Sequence, residues 1–125
     1  MLLSDIREYL KTQLKNIPQW YLNKSGREEK SITIYNTRGL APRVVIGSNS
    51  SYSTKAISLL VRWGKKSNEA EKKAIEVYNT LLYSTIIGSK RVIKVDLKTD
   101  EPVYVGTDSE GIIEYVIEVI IYYER

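Results

Sequence analysis

From Ile112 to Tyr123 hydrophobic and polar positions alternate so that both faces of one predicted strand are adhesive. Ile113, Tyr115, Ile117, Val119, Ile121 and Tyr123 form an unbroken apolar row, the pattern of a strand packed on a core, because successive side chains point to opposite sides of a sheet. The opposite row is Ile112, Glu114, Val116, Glu118, Ile120 and Tyr122. Half apolar and half acidic, it suits neither open water nor a dry interior, and it predicts a second protein surface lying against it.

Upstream, Ile6, Tyr9, Leu10, Leu14 and Ile17 make a stripe at helical spacing, with Ser4 as the expected cap, Asp5 and Glu8 in the first turn and Pro18 as the stop. The polar stretch Asn23 to Lys30 reads as a connection before a short strand, Ser31 to Tyr35, and a second loop runs from Asn36 to Pro42. Arg43 to Gly47 is a small apolar run. The Ser-rich segment Gly47 to Thr54 reads as a long loop that orders when a neighbour docks, and a strand from Lys55 to Trp63 puts Ile57, Leu59, Val61 and Trp63 on one face. Asn68 and Glu71 have the spacing of a capping box for a second helix, whose apolar stripe is Ala70, Ala74, Val77, Tyr78, Leu81 and Leu82, with Gly88 closing the region. Arg91 to Leu97 alternates with Ile93, Val95 and Leu97 inward, a short extended piece spans Pro102 to Gly106, and Thr107 to Gly111 turns into the final strand. Helix, two or three strands, helix, two or three strands is the order of an α+β fold: a mixed, largely antiparallel sheet with two helices packed on one face. At 125 residues, one domain over 1–125 is the expectation.

Composition narrows the chemistry. The chain has no Cys and no His, which removes disulfides, thiolate chemistry, the usual zinc ligands and the commonest general base. Neither a membrane-spanning apolar run nor a signal peptide is evident, so a chain made in the cytoplasm is expected. Residues 1–66 carry 12 Lys and Arg against 4 Asp and Glu, and residues 67–125 carry 7 against 11, a balance of +8 and −4. If the fold keeps those halves apart, one copy's basic side can meet the next copy's acidic side; a fold that interleaves them erases the effect.

Two kinds of chemistry have candidate residues. Asp96-Leu97-Lys98 has the D-x-K shape of Mg²⁺-dependent nucleases, with Glu71, Glu76, Asp100 and Glu101 as possible further ligands, although acids and lysines at strand ends are ordinary surface residues. Lys55, Arg62, Lys65, Lys66, Lys72 and Lys73, with Tyr52 and Trp63, offer a basic and aromatic patch for nucleic acid; Trp63 shares the parity of core residues, and the helical lysines sit among glutamates as on a solvated face. No glycine-rich phosphate loop is present. Ten Tyr and no Phe suit surfaces that become buried between chains, and Tyr122 is the one on the mixed face. The expected subunit contact is therefore Glu114, Glu118 and Tyr122, with basic partners among Lys55, Arg62, Lys65 and Lys66.

The run Leu59-Leu60-Val61-Arg62-Trp63-Gly64, the helix Glu69 to Tyr78 and the ending Pro102-Val103-Tyr104-Val105-Gly106-Thr107-Asp108-Ser109-Glu110-Gly111, followed by the strand to Glu124, resemble minor capsid proteins of tailed bacteriophages, which are similar in turn to tail terminator subunits. The resemblance implies a virion structural protein of the neck or tail. It implies a self-assembled ring, commonly of six, that ends the tail tube and joins it to head completion proteins, with no catalytic residues, no cofactor, no metal and no membrane or specific nucleic-acid partner. A phage or prophage origin and synthesis in the bacterial host's cytoplasm follow from the same likeness.

Overall fold

The computed structural model describes residues 1–38 and 51–125, and the backbone of 43–44; of Ser51 too it describes the backbone alone. Two helices, α1 (Leu3–Gln13) and α2 (Ser67–Leu82), accompany eight strands: β1 (Gln19–Leu22), β2 (Lys30–Asn36), β3 (Arg43–Val44), β4 (Ser51–Trp63), β5 (Ile86–Ile87), β6 (Lys90–Leu97), β7 (Val103–Thr107) and β8 (Ile113–Glu124). All eight strands join one mixed sheet, so the α+β class expected from the element order is what the chain adopts.

The two longest strands, β4 and β8, pair antiparallel at the centre from Tyr52 opposite Glu124 to Arg62 opposite Glu114. Each is flanked on its outer edge by an interrupted strand: β2 and β3 run along β4, and β6 and β7 along β8. β1 lies parallel to β2 at one margin, and β5 pairs with β6 at the other. Because β4 comes from the basic half of the chain and β8 from the acidic half, the fold interleaves the two halves at its centre.

Register explains the core. Ile57 stands opposite Val119, Leu59 opposite Ile117 and Val61 opposite Tyr115, while Ile34 and Ile32 extend these rows onto β2. All are buried, together with Ile121 and Tyr123. Against this face α2 lays Ala70, Ala74, Val77 and Leu81, and α1 lays Leu3, Ile6 and Leu10. The helical and strand periods thus converge on one side of the sheet, and burial of each such Leu, Ile or Val contributes about 1.5–3 kcal/mol.

Several local expectations give way. α1 begins at Leu3 with Leu2 as its cap residue, so Ser4 is inside the helix; the Leu2 amide is held by the Asp5 carboxylate at 2.8 Å. The helix stops at Gln13 before reaching Pro18, and Asn16 takes a left-handed φ of 65°. α2 begins one residue before Asn68, with Lys66 as cap residue, so the expected capping box does not form. Gly88, at φ 62°, belongs to the β5–β6 turn, well past the end of α2 at Leu82. A bulge between Val92 and Lys94 puts Ile93 outside and leaves Val92 partly buried against the core, reversing the expected inward row at that point. Ser51 to Thr54, read as loop, is the start of β4; the rest of that segment, 47–50, and the expected loop at 39–42 lie outside the described residues.

Candidate assembly surface

Both helices pack on the face that carries Leu59 and Ile117, which leaves the other face of the β4–β8 pair for different work. Along it, Arg62 stands opposite Glu114, Leu60 opposite Val116, Ser58 opposite Glu118, Ala56 opposite Ile120 and Thr54 opposite Tyr122. Val116, Ile120 and Tyr122 keep partial exposure and Glu118 is exposed, so the mixed character read from the alternation of β8 is present in the folded chain.

At one end of this face Arg62, only 8% exposed, bridges two carboxylates: its Nη2 donates to Asp108 Oδ2 at 2.9 Å and its Nη1 to Glu114 Oε2 at 3.3 Å. Asp108 Oδ1 also accepts the backbone N–H groups of Glu110 and Ile112, both at 2.9 Å. The Ile112 N–H is the largest cause holding the Asp108 carboxyl below the ordinary aspartate value; partial burial opposes it, and the Glu110 N–H and Arg62 add to the lowering. One carboxylate therefore organises the β7–β8 turn and ties it to β4. Close by, Ser31 and Thr33 are fully buried on β2, and their hydroxyls, like Arg62 Nε, have no hydrogen-bond partner among the described residues.

Further along the face, Lys98 Nζ lies 3.6 Å from Glu118 Oε2, an exposed pair. Tyr122 packs its ring on Tyr52 with centroids 5.8 Å apart, and Lys94 Nζ sits 5.4 Å from the Tyr122 centroid. Val103 and Val105 of β7, with Val116, Lys98, Thr99 and Glu118, line a mostly apolar notch of about 180 Å³. On the helix side of the same strand, Glu71, Ile75, Glu101, Pro102, Tyr104 and Tyr115 line a second notch of about 150 Å³. There the Tyr104 ring meets Tyr115 edge-on, and the Tyr115 hydroxyl reaches Glu71 Oε2 at 3.5 Å. Burial first, and then the Glu71 charge, push the Tyr115 hydroxyl above its usual pKa.

Of the residues singled out for a subunit contact, the fold brings Arg62 and Glu114 together within one chain and sets Glu118 and Tyr122 along the same face. Lys55 falls opposite Ile121, on the core-side parity, and Lys65 and Lys66 occupy the exposed corner between β4 and α2. Alternation alone concealed Asp108 and the exposure of the β7 row, since Val103, Tyr104 and Val105 read only as part of a short extended piece; the sole clue was the Asp-x-x-Gly turn that follows. Trp63 is buried, with Lys73 and Lys30 ammonium groups 4.8 and 5.3 Å from its ring centroid, so its face is not presented to a base. Asp96 pairs with Ile120 across the sheet, and no cluster of three Asp or Glu side chains that could hold a metal ion exists among the described residues.

Comparison with known protein families decides to which of them this fold belongs. A family described as bacteriophage tail terminator protein matches residues 10–125. The chain belongs to the tail terminator family. This phage tail terminator is thus a structural protein of the tail end, and the resemblance carried by the Leu59–Gly64 run, α2 and the turn before β8 is shown at the level of family. No curated protein matches it. No helix among the described residues is long and apolar enough to cross a membrane.

Proposed function

We propose that this terminator subunit is a non-enzymatic ring component, a hexamer as the family likeness implies, which caps the tail tube and joins it to the head completion proteins of a phage or prophage virion. The observation that carries this reading is the outer face of the β4–β8 pair, where Val116, Ile120 and Tyr122 keep partial exposure beside the exposed Glu118, with both helices on the opposite side, while Ala56 and Arg62 on the same face are buried within the chain. A lone chain gains nothing from such a row, whereas a neighbour covering it removes apolar surface from water at about 25 cal/mol per Å².

The contact proposed is Glu114, Glu118 and Tyr122 of one copy with Lys55, Arg62, Lys65 and Lys66 of the next. Since Arg62 and Glu114 already satisfy each other, Glu118 and Tyr122 carry the larger share, and Arg62 acts by holding the β7–β8 turn in place. The same reading assigns no catalytic residue, cofactor, metal, membrane or specific nucleic acid. Polymerising the phage's tail tube protein with and without the purified chain tests it: tubes that stop growing and carry the chain at one end support the role, and tubes of unchanged length with bare ends refute it.

A further inference from the structure

Eight of the nine large hydrophobic side chains exposed among the described residues fall into two groups of four, each between 39% and 76% exposed. Tyr104 and Ile75 lie on the helix side of β7, and Val103 and Val105 on its outer side. Leu82, Tyr83, Ile86 and Ile93 surround the β5–β6 hairpin, where Ile86 stands opposite Arg91 and the Val92 amide donates to the Thr85 carbonyl at 2.8 Å. Single exposed hydrophobics are normal on any protein; exposed hydrophobics gathered at two places along one sheet margin are a pattern of interfaces.

The groups differ in charge. Ile75 and Tyr104 share their notch with Glu71 and Glu101, while the hairpin carries Lys90, Arg91 and Lys94. An aromatic-walled notch with two carboxylates suits one guanidinium, which pairs with carboxylate oxygens and stacks on ring faces. Arg91 is free to supply it: its partner in the chain, Glu124 at 3.5 Å, forms an exposed pair with side chains 74% and 52% accessible, the kind that water and salt readily exchange.

Within one chain the two groups cannot meet. Tyr104 pairs with Tyr115, and Val92 with Tyr123, so eight residues of β8, about 26 Å at ~3.3 Å per residue, separate them. Both lie along one margin of the sheet, at opposite ends. We propose that the β5–β6 hairpin of one copy docks on the β7 margin of the next, with Arg91 entering the Glu71–Glu101 notch. Two different surfaces in contact make a head-to-tail association, which closes into a ring when the rotation permits. This inference rests on the ring reading above and deepens it, because Val103 and Val105 also border the outer-face notch that contains Glu118.

The absence of native cysteine gives a direct test. Arg91→Cys chains and size-tagged Glu101→Cys chains are mixed and joined with a bis-maleimide whose reach matches an extended Arg facing a Glu, a separation too long for a direct disulfide, which needs Cα atoms about 4.4–6.8 Å apart. The expected result is at least ten-fold more Arg91→Cys/Glu101→Cys heterodimer than either homodimer, and near-equal amounts of all three would overturn the assignment. Charge exchange is the second measurement: Arg91→Glu and Glu101→Arg each weaken association by at least ten-fold, and an equal mixture of the two variants, in which every seam between unlike chains again carries opposite charges at positions 91 and 101, regains it. A wild-type chain that sediments as an oligomer yet gives neither result removes this seam and leaves the ring reading standing; a wild-type chain that stays monomeric and leaves tube ends bare removes both.

Discussion

Two neighbouring isoleucines on β8 separate the structural face from the assembling face. Ile117 is 1% exposed and stands opposite Leu59 beneath the helices. Ile117→Ala deletes three buried carbons, a transfer loss of about 2.4 kcal/mol at ~0.8 kcal/mol each, and the cavity left in a packed core brings the cost to about 3–4 kcal/mol. Ile120 lies on the outer face, partly exposed between Ala56 and Asp96. There the same truncation forfeits most of the transfer term but leaves no closed cavity, so the cost is about 1.5–2 kcal/mol. Urea unfolding at concentrations where the chain is monomeric, with m of about 1.5 kcal/mol/M, should shift the midpoint by roughly 2 M for Ile117→Ala and by about 1 M for Ile120→Ala. Sedimentation at higher concentration should reverse the ranking, Ile120→Ala weakening association while the residual folded Ile117→Ala chain associates normally. Equal unfolding costs at the two positions would show that the outer face is buried by the chain itself and would refute the reasoning.

Glu118→Lys combined with Tyr122→Ala should lower the sedimenting mass at an unfolding cost of about 1–2 kcal/mol, most of it from the lost Tyr122–Tyr52 ring contact; unchanged association would remove them from the contact. Asp108 supplies the pH dependence. Its folded pKa is depressed, so its stabilising share is complete above the unfolded aspartate value of about 3.9 and is lost as pH falls through the lower folded value. Unfolding midpoints from pH 2 to 7 should therefore fall more gently at the acid end in Asp108→Asn than in wild type, and identical slopes would deny the carboxylate its role in the turn.

The long strands were legible because their alternation runs through many residues and both rows carry distinct chemistry: β4 and β8 fall where Ile57-Leu59-Val61-Trp63 and Tyr115 to Tyr123 placed them. α2 was legible for the same reason at helical period. β1 was not, because four residues after Pro18 show no period, and parallel pairing with β2 is what makes Gln19–Leu22 a strand. The inward row of β6 failed at Ile93 because a single bulge residue exchanges the faces of a strand, and no local signal announces it. The helix start at Leu3 uses the Asp5 carboxylate on the Leu2 amide in place of Ser4, and the start at Ser67 uses the backbone bond from the Ala70 amide to the Lys66 carbonyl in place of the Asn68 side chain. The candidate contact was half legible. Glu118 and Tyr122 stand on the outer face as the parity of β8 requires, but the bond between Arg62 and Glu114 needed the β4–β8 register, and the exposure of Val103 and Tyr104 depends on β7 having no strand beyond it among the described residues.

Electron microscopy of tail tubes assembled with the purified chain is the most direct measurement of whether the subunit closes on itself and stops a tube. A ring seated on one tip, with tube lengths that shorten as the chain is added, is the expected image. Naked tips at every concentration, with lengths indifferent to the chain, would contradict it.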